Sequence, residues 1–355
     1  MNHHLASQRG AAALIVTLLL FLAMALAALG VNRHLVFEQR ASANQARATQ
    51  AFEAAEAGLQ WAQALLDSPQ RIGPDCKPSA EPAATTFRDR LLTLDRSTGA
   101  IGTTGSLPAC VRGAGGWSCS CPAAGAAALS APGGTIPAPA FALQFQPTAR
   151  AGTVRVVASG CTSLAGACLL GAATSADASA RVEVTLALFA GLRTAPVDAL
   201  TTRDAANQTT DQFFAASFGL PRSTWQNQPV VARVACGNDC GSAIGAAIAA
   251  GFALIAVDGD LSLTGPIALG SVNEPVVIAA SGAVRLDGAV AIVGALYGAS
   301  MTLADAGPNV QGAVITESPY AGPAAPEFHR DAAVLATLAH RTGSFTRVSG
   351  SWRDF

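Results

Sequence analysis

Ala11 to Val31 is an uninterrupted apolar run, AAALIVTLLLFLAMALAALGV, with Thr17 its one hydroxyl. At 1.5 Å per residue a helix of this length spans roughly 32 Å, about the thickness of a hydrocarbon core. Arg33 ends the run, but helical character continues. No proline occurs before Pro69, and Arg33 to Leu66 is rich in Ala, Gln, Glu and Arg, all good helix formers. Phe52, Ala55, Leu59, Ala62 and Leu66 fall on one face. The pattern predicts a single helix from about residue 11 to 67, stopped by Asp67-Ser68-Pro69. Ala25-Leu26-Ala27 offers a small-x-small signal-peptidase site, yet the apolar run is longer than the 7–15 residues usual for such a peptide. A spanning anchor fits better than a removed signal.

Beyond Pro69 the composition turns to Gly, Pro, Ser and Cys, which reads as loops to about residue 140. Short strands follow at Phe141–Phe145, Val154–Val157 and Arg181–Leu188, the last alternating at period two. Gly- and Ser-rich turns between them predict an antiparallel sheet whose apolar face covers the stripe from Phe52 to Leu66. Residues 195–250 read as an insertion with a short amphipathic helix around Phe213, Phe214 and Phe218. From Ala256 a weak repeat appears: Gly259–Gly265 aligns with Gly282–Gly288, and Gly294–Tyr297 with Gly312–Ile315. Turns spaced roughly 18–23 residues apart with period-two apolar positions predict stacked β-solenoid rungs over 251–325. Asp331 to His340 reads as a helix able to cap one end, with a polar tail to Phe355.

Composition narrows the function classes. The 22 Lys+Arg nearly balance the 23 Asp+Glu, so there is no basic footprint for nucleic acid. Only 13% of residues are charged, about half the usual share, as expected of a chain that meets lipid or packs against neighbouring subunits. All eight cysteines lie beyond the long helix, and an even count suits disulfides in an oxidising compartment. Cys161 with Cys168 and Cys236 with Cys240 are close enough to close locally; Cys76, Cys110, Cys119 and Cys121 are not paired by spacing. Zinc is the weaker reading, since no histidine lies near and no paired C-x-x-C occurs. Arg33, Arg40 and Arg47 follow the span while only Arg9 precedes it, which by charge would keep the folded part inside; the cysteines argue that it lies outside.

The search for chemistry returns little. A solenoid could carry a polysaccharide-cleaving pair of carboxylates, and Asp258, Asp260, Asp287 and Asp305 are the candidates. Each sits beside glycine in a D-G or D-A-G setting, the mark of a tight turn. Asp258-Gly-Asp260 lacks the further oxygen ligands of a calcium loop. His329 and His340 stand in no metal spacing. No nucleophile elbow or phosphate loop occurs, so no enzyme, cofactor or metal is expected.

The segments QRG–AAALIVTLLLFLAMALAALGV and TQAFEAAEAGLQWA, together with the ending GSFTRVSGSWRDF, resemble the PilX-type minor pilins of type IV pili, over about residues 8–66 and 250–355. The resemblance implies a leader, residues 1–10, cut by a prepilin peptidase between Gly10 and Ala11, with N-methylation at Ala11. It implies an α+β fold in which the long helix 11–67, transmembrane over 11–31, packs on an antiparallel pilin-like sheet in an ectodomain of 68–194. The insertion 195–250, the β-solenoid-like region 251–325 and the cap and tail 326–355 would follow. Implied partners are other minor and major pilins, met through the N-terminal helix, and a host or surface ligand. The subunit would sit in the inner membrane with a periplasmic ectodomain, then in the surface pilus. One departure stands out: the pilin glutamate five places after the cut is Ile15 here. A carboxylate in lipid is tolerated where it meets a cation, in pilins the N-terminal amine of a neighbour, and the tip-located member of the related pseudopilins also lacks it. A tip position with an adhesive role follows as an expectation. The alternatives are a type II secretion minor pseudopilin and a membrane-anchored solenoid that binds or cleaves surface carbohydrate.

Overall fold

The computed structural model describes residues 9–130, 138–164, 178–204, 206–236, 240–320, 322 and 327–354. Its first element is one unbroken helix, Arg9–Leu66, of 58 residues and so about 87 Å long. Residues 13–49 of it are exposed, and burial begins with Ala51. From there Ala55, Leu59, Ala62 and Leu66 sink into a core shared with Phe141, Leu143, Val156, Val184, Leu186 and Phe345. Of the five residues on the expected stripe, only Phe52 stays at the rim, edge-on to Trp352 with ring centroids 6.3 Å apart.

The sheet beneath the helix is antiparallel, in the order Gly343–Arg347, Ser179–Ala190, Thr153–Cys161, Ala140–Pro147, Ala109–Gly113, Gly116–Ser120. The three strands read from the sequence form its centre. The stretch 68–140, expected as loops, contributes more: the hairpin from Ala109 to Ser120 extends the sheet, and a short helix, Phe87–Leu91, buries Phe87 and Leu91. Glycine and cysteine content hid these strands, because the cross-strand Cys110–Cys119 disulfide supplies the pairing that apolar alternation usually supplies.

Helix and sheet meet at backbone distance. A Cβ on Gly160 would collide with the carbonyl oxygen of Ala51 and the amide nitrogen of Ala55. The tail completes the seat. Gly343–Arg347 and Arg353–Asp354 both lie along Ser179–Ala190, while Gln63 donates to the Phe345 carbonyl (3.2 Å) and Trp352 Nε1 donates to Glu56 (2.8 Å). The tail is therefore an edge strand clamped to the helix, with Trp352 its outer anchor.

The second half of the chain is built from parallel strands in three registers. Leu254–Asp258, Val276–Ala280, the end of Val290–Gly298 and the end of Asn309–Thr316 pair in sequence. Leu261–Thr264, Ala283–Asp287 and Ser300–Leu303 make a second face. Ile267–Leu269 and the beginnings of Val290–Gly298 and Asn309–Thr316 make a third, continued by Glu327–Arg330. Leu261 stands opposite Val284 and Gly294 opposite Gly312, the registers that the repeat anticipates. Ile255, Ile278, Leu296 and Val314 are buried in one row, and Leu263, Leu286 and Leu303 in another. Gly294 (φ +150°) and Gly312 (φ +137°) turn the chain between faces in a conformation that L side chains rarely adopt, and a Cβ on either would strike the carbonyl of the neighbouring turn.

Two details of this half differ from expectation. Residues 195–250 are not purely helical: Leu200–Thr202 and Val231–Ala235 belong to the parallel sheet, pairing with Asn309–Thr316 and Leu254–Asp258. The helix Ala332–Arg341 does not cap the stack. Leu335 and Leu338 pack on its flank beside Tyr297, Ala295, Ala313 and the aromatic group Phe213, Phe214, Phe218 and Trp225. The end is instead closed by Cys240–Ala249, whose Ile244 joins the interior with Val234, Ile255 and Leu261. A strong amphipathic pattern suited 332–341 to either place. The Cys236–Cys240 bridge fixes the start of the other helix at the open end.

Candidate functional site

The feature that nothing else in the chain accounts for is the front half of the long helix. Leu14, Leu18, Phe21, Met24 and Leu26 are between 61% and 75% exposed, so a continuous apolar cylinder stands clear of the folded part. Ile15 is 59% exposed, and the first carboxylate after residue 9 is that of Glu38, tied to His34 at 3.1 Å. The lone hydroxyl makes no demand on surroundings, because Thr17 donates to the Leu14 carbonyl at 3.0 Å. Such a surface is satisfied in lipid or against other apolar helices and not in water. Gly10 and Ala11 lie in the first turns of this helix.

The helix is held at its other end by a polar node that sequence reading missed. The last carbonyls of a helix have no partner within it. Here Arg88 donates from Nε and Nη2 to the Leu66 carbonyl (3.0 and 2.8 Å), from Nη2 to Gly343 (2.7 Å) and from Nη1 to Arg341 (3.1 Å). Asp67, 3.7 Å from that guanidinium, accepts from the Phe345 amide at 2.7 Å. Burial pushes the Asp67 carboxyl above the usual carboxylate range, the Phe345 amide and Arg88 opposing it. Burial likewise lowers Arg88, with Asp67 opposing. One buried arginine thus joins the ends of two helices and the edge strand. A basic residue in FRDRL carries no sequence signal for that role.

The disulfides secure the same region. Cys76–Cys121 closes 45 residues, and Arg90 donates to the carbonyls of Cys121 (2.7 Å) and Ile72 (3.1 Å). Cys236–Cys240 forms as the spacing suggested. Cys161 is disulfide-bonded, whereas Cys168 lies outside the described residues. On chain entropy the 45-residue loop is worth about 4 kcal/mol. The Cys76→Ser/Cys121→Ser variant is accordingly expected to lose about 2–4 kcal/mol in denaturant unfolding, more than a Cys110→Ser/Cys119→Ser variant, whose loop spans 9 residues.

The carboxylates considered for chemistry are each engaged. Asp258 pairs with Arg233 at 2.8 Å, and Asp287 lies 3.8 Å from Arg285. Asp260 accepts from the Ala283 amide at 2.8 Å; Asp305 accepts from those of Gly307 (3.0 Å) and Gly288 (3.3 Å). Asp258, Asp260 and Asp305 thus tie turns to neighbouring strands, whereas Asp287 pairs within its own strand. His340 meets the Arg96 carbonyl at 2.7 Å and His329 is exposed. Among the described residues no group of three or more His, Cys, Asp or Glu is placed to hold a metal. A cleft of about 1010 Å³ opens between the loop 68–86, the first turns of the stack and the end of Ala332–Arg341, with Arg71, Asp89, Glu274 and Arg341 on its walls.

The chain is thus a mixed α/β protein in which an exposed apolar half-helix continues into a half-helix seated on an antiparallel sheet. The PilX N-terminal family model matches residues 9–60, and this segment is that of a PilX-type pilin. No curated protein and no solved structure matches the chain. The match ends where the helix is already seated on the sheet, so it covers the whole exposed cylinder. Membrane anchoring and a place in a surface pilus are consistent with both observations.

Proposed function

We propose that this chain is a minor pilin, a structural subunit that primes or assembles a type IV pilus and stands at or near its tip, with no catalytic role. The carrying observation is the exposed cylinder of residues 13–37, which needs either a membrane or a bundle of sister helices. Moving it from lipid into such a bundle exchanges one apolar surrounding for another, so close packing through Ala25, Ala27, Ala28 and Gly30 directs association. Ile15 in place of the pilin glutamate removes the attraction toward the amine of a subunit beyond, which suits a terminal place. The parallel strands are read as a short β-solenoid, carried outward and presenting its faces or the adjoining cleft to a surface ligand. Engagement of Asp258, Asp260, Asp287 and Asp305 in turns and ion pairs supports a structural stack over a hydrolase.

The test is the intact mass of the mature protein from piliated cells. Processing by a prepilin peptidase predicts a chain beginning at Ala11, with a methyl group on its amine. A chain beginning near Ala28 would leave no cylinder and end the proposal. Gold-labelled antibody against the folded domain is expected at filament ends; labelling along the shaft would retain the pilin and remove the tip assignment.

A further inference from the structure

Just beyond the apolar run the long helix carries a groove of about 310 Å³ lined by Asn32, Arg33, Val36, Phe37 and Arg40. Phe37 is 71% exposed and Val36 41%, so none of the described residues covers it. We propose that this groove binds the headgroup of an anionic phospholipid, on the membrane face that bears the folded domain; the inference rests on the membrane-anchored reading above.

The geometry follows from helix spacing. Arg33, Val36, Phe37 and Arg40 sit at i, i+3, i+4 and i+7, hence on one face. Arg33 stands about 3 Å above Val31 and Arg40 about 14 Å, while the headgroup layer is about 5–8 Å deep on each side. Side chains on a helix lean toward its N-terminus, so the long Arg40 side chain reaches down into that layer. Both guanidiniums then face the phosphate layer, where each can hold phosphate oxygens in bidentate fashion, and Val36 and Phe37, about 8–9 Å above Val31, lie in the same layer, where aromatic rings favour the interface. Among the described residues no carboxylate pairs with Arg33 or Arg40, and Glu38 sits round the helix beside His34. Arg47 shares the face but stands about 24 Å above Val31, out of reach. That separates lipid from an acidic protein partner, which would use all three arginines.

The experiment reconstitutes the full chain in phosphatidylcholine vesicles and measures, by electron spin resonance, how strongly spin-labelled phosphatidylglycerol is retained at the protein relative to spin-labelled phosphatidylcholine. About fivefold per arginine near an anionic surface predicts a preference of about five- to twenty-fivefold for one or both arginines engaged. Arg33→Gln/Arg40→Gln should reduce it to near unity, and Arg47→Gln should leave it unchanged. Equal retention of both lipids by the wild type would overturn the proposal. So would an equal loss in Arg47→Gln, which makes the preference a property of the whole basic stripe and not of this groove, or loss of preference in excess inorganic phosphate, which assigns it to a free anion. Failure of the chain to float with vesicles would instead remove the membrane reading together with the site.

Discussion

Arg88→Leu is expected to lower unfolding stability by about 3–5 kcal/mol, the usual cost of stripping one partner from a buried ion pair. The substitution keeps volume but leaves the carbonyls of Leu66, Arg341 and Gly343 without their donor and Asp67 without its cation. The Phe345 ring, over which the guanidinium lies at 5.0 Å, loses that contact as well. Denaturant unfolding of the full chain in detergent measures the loss, and its pH dependence identifies the source. The Asp67 carboxyl is already held above its ordinary 3.8, and without Arg88 it rises further. Below 3.8 the carboxyl is protonated folded and unfolded alike, so the part of the deficit due to an unpaired charge disappears there. The unfolded state is common to both proteins, so the deficit grows only once pH rises through the wild-type folded value, itself raised above 3.8, and toward the still higher value in the variant. A deficit independent of pH would mean that Arg88 acts through packing and neutral hydrogen bonds alone.

Gly160→Val is expected to cost roughly 3 kcal/mol or more, at the upper end of overpacking effects. The obstacle is backbone: Ala51 and Ala55 belong to the rigid helix and cannot rotate aside. Relief requires the helix to lift from Thr153–Cys161, which also parts Gly58 from Phe141, where a Cβ would already be 2.9 Å from the ring. Limited proteolysis should then cut near residues 50–56, sites shielded in the wild type. Gly245→Ala is the control. That glycine lies within Cys240–Ala249 and a Cβ there meets nothing within 4 Å, so stability should hold or rise by up to about 1 kcal/mol.

These two positions mark the limit of what the sequence made legible. The helix could be read because fifty-odd residues without proline carry one apolar run and then one stripe. Its seat could be read because Arg181–Leu188 alternates at period two. The registers of the parallel strands matched a weak repeat in which glycines recur at unequal intervals, Gly259 with Gly282 and Gly294 with Gly312. Arg88 was invisible, since its acceptors come from two segments far apart in the chain, Leu66 and the stretch Arg341 to Gly343, and no local pattern distinguishes it from Arg90 two places on. The pairing of Cys76 with Cys121 and Cys110 with Cys119 was closed to inspection for the same reason: four cysteines allow three pairings, and only the fold chooses. The places of Ala332–Arg341 and Cys240–Ala249 turned on which apolar surface each found nearest, and periodicity records that a helix has a buried face without saying what buries it.

The strand Gly343–Arg347 has a consequence for the order of biogenesis. Its Phe345 enters the core beneath the helix and bonds to Asp67 across 278 residues of sequence, one of the most distant pairings a chain of this size can make. Loop closure over such a span is slow. The long helix therefore waits for the C-terminal strand, far along the chain, before its bed is complete. During that interval Ala55, Leu59 and Leu66 lack their full cover, which only the final edge strand completes.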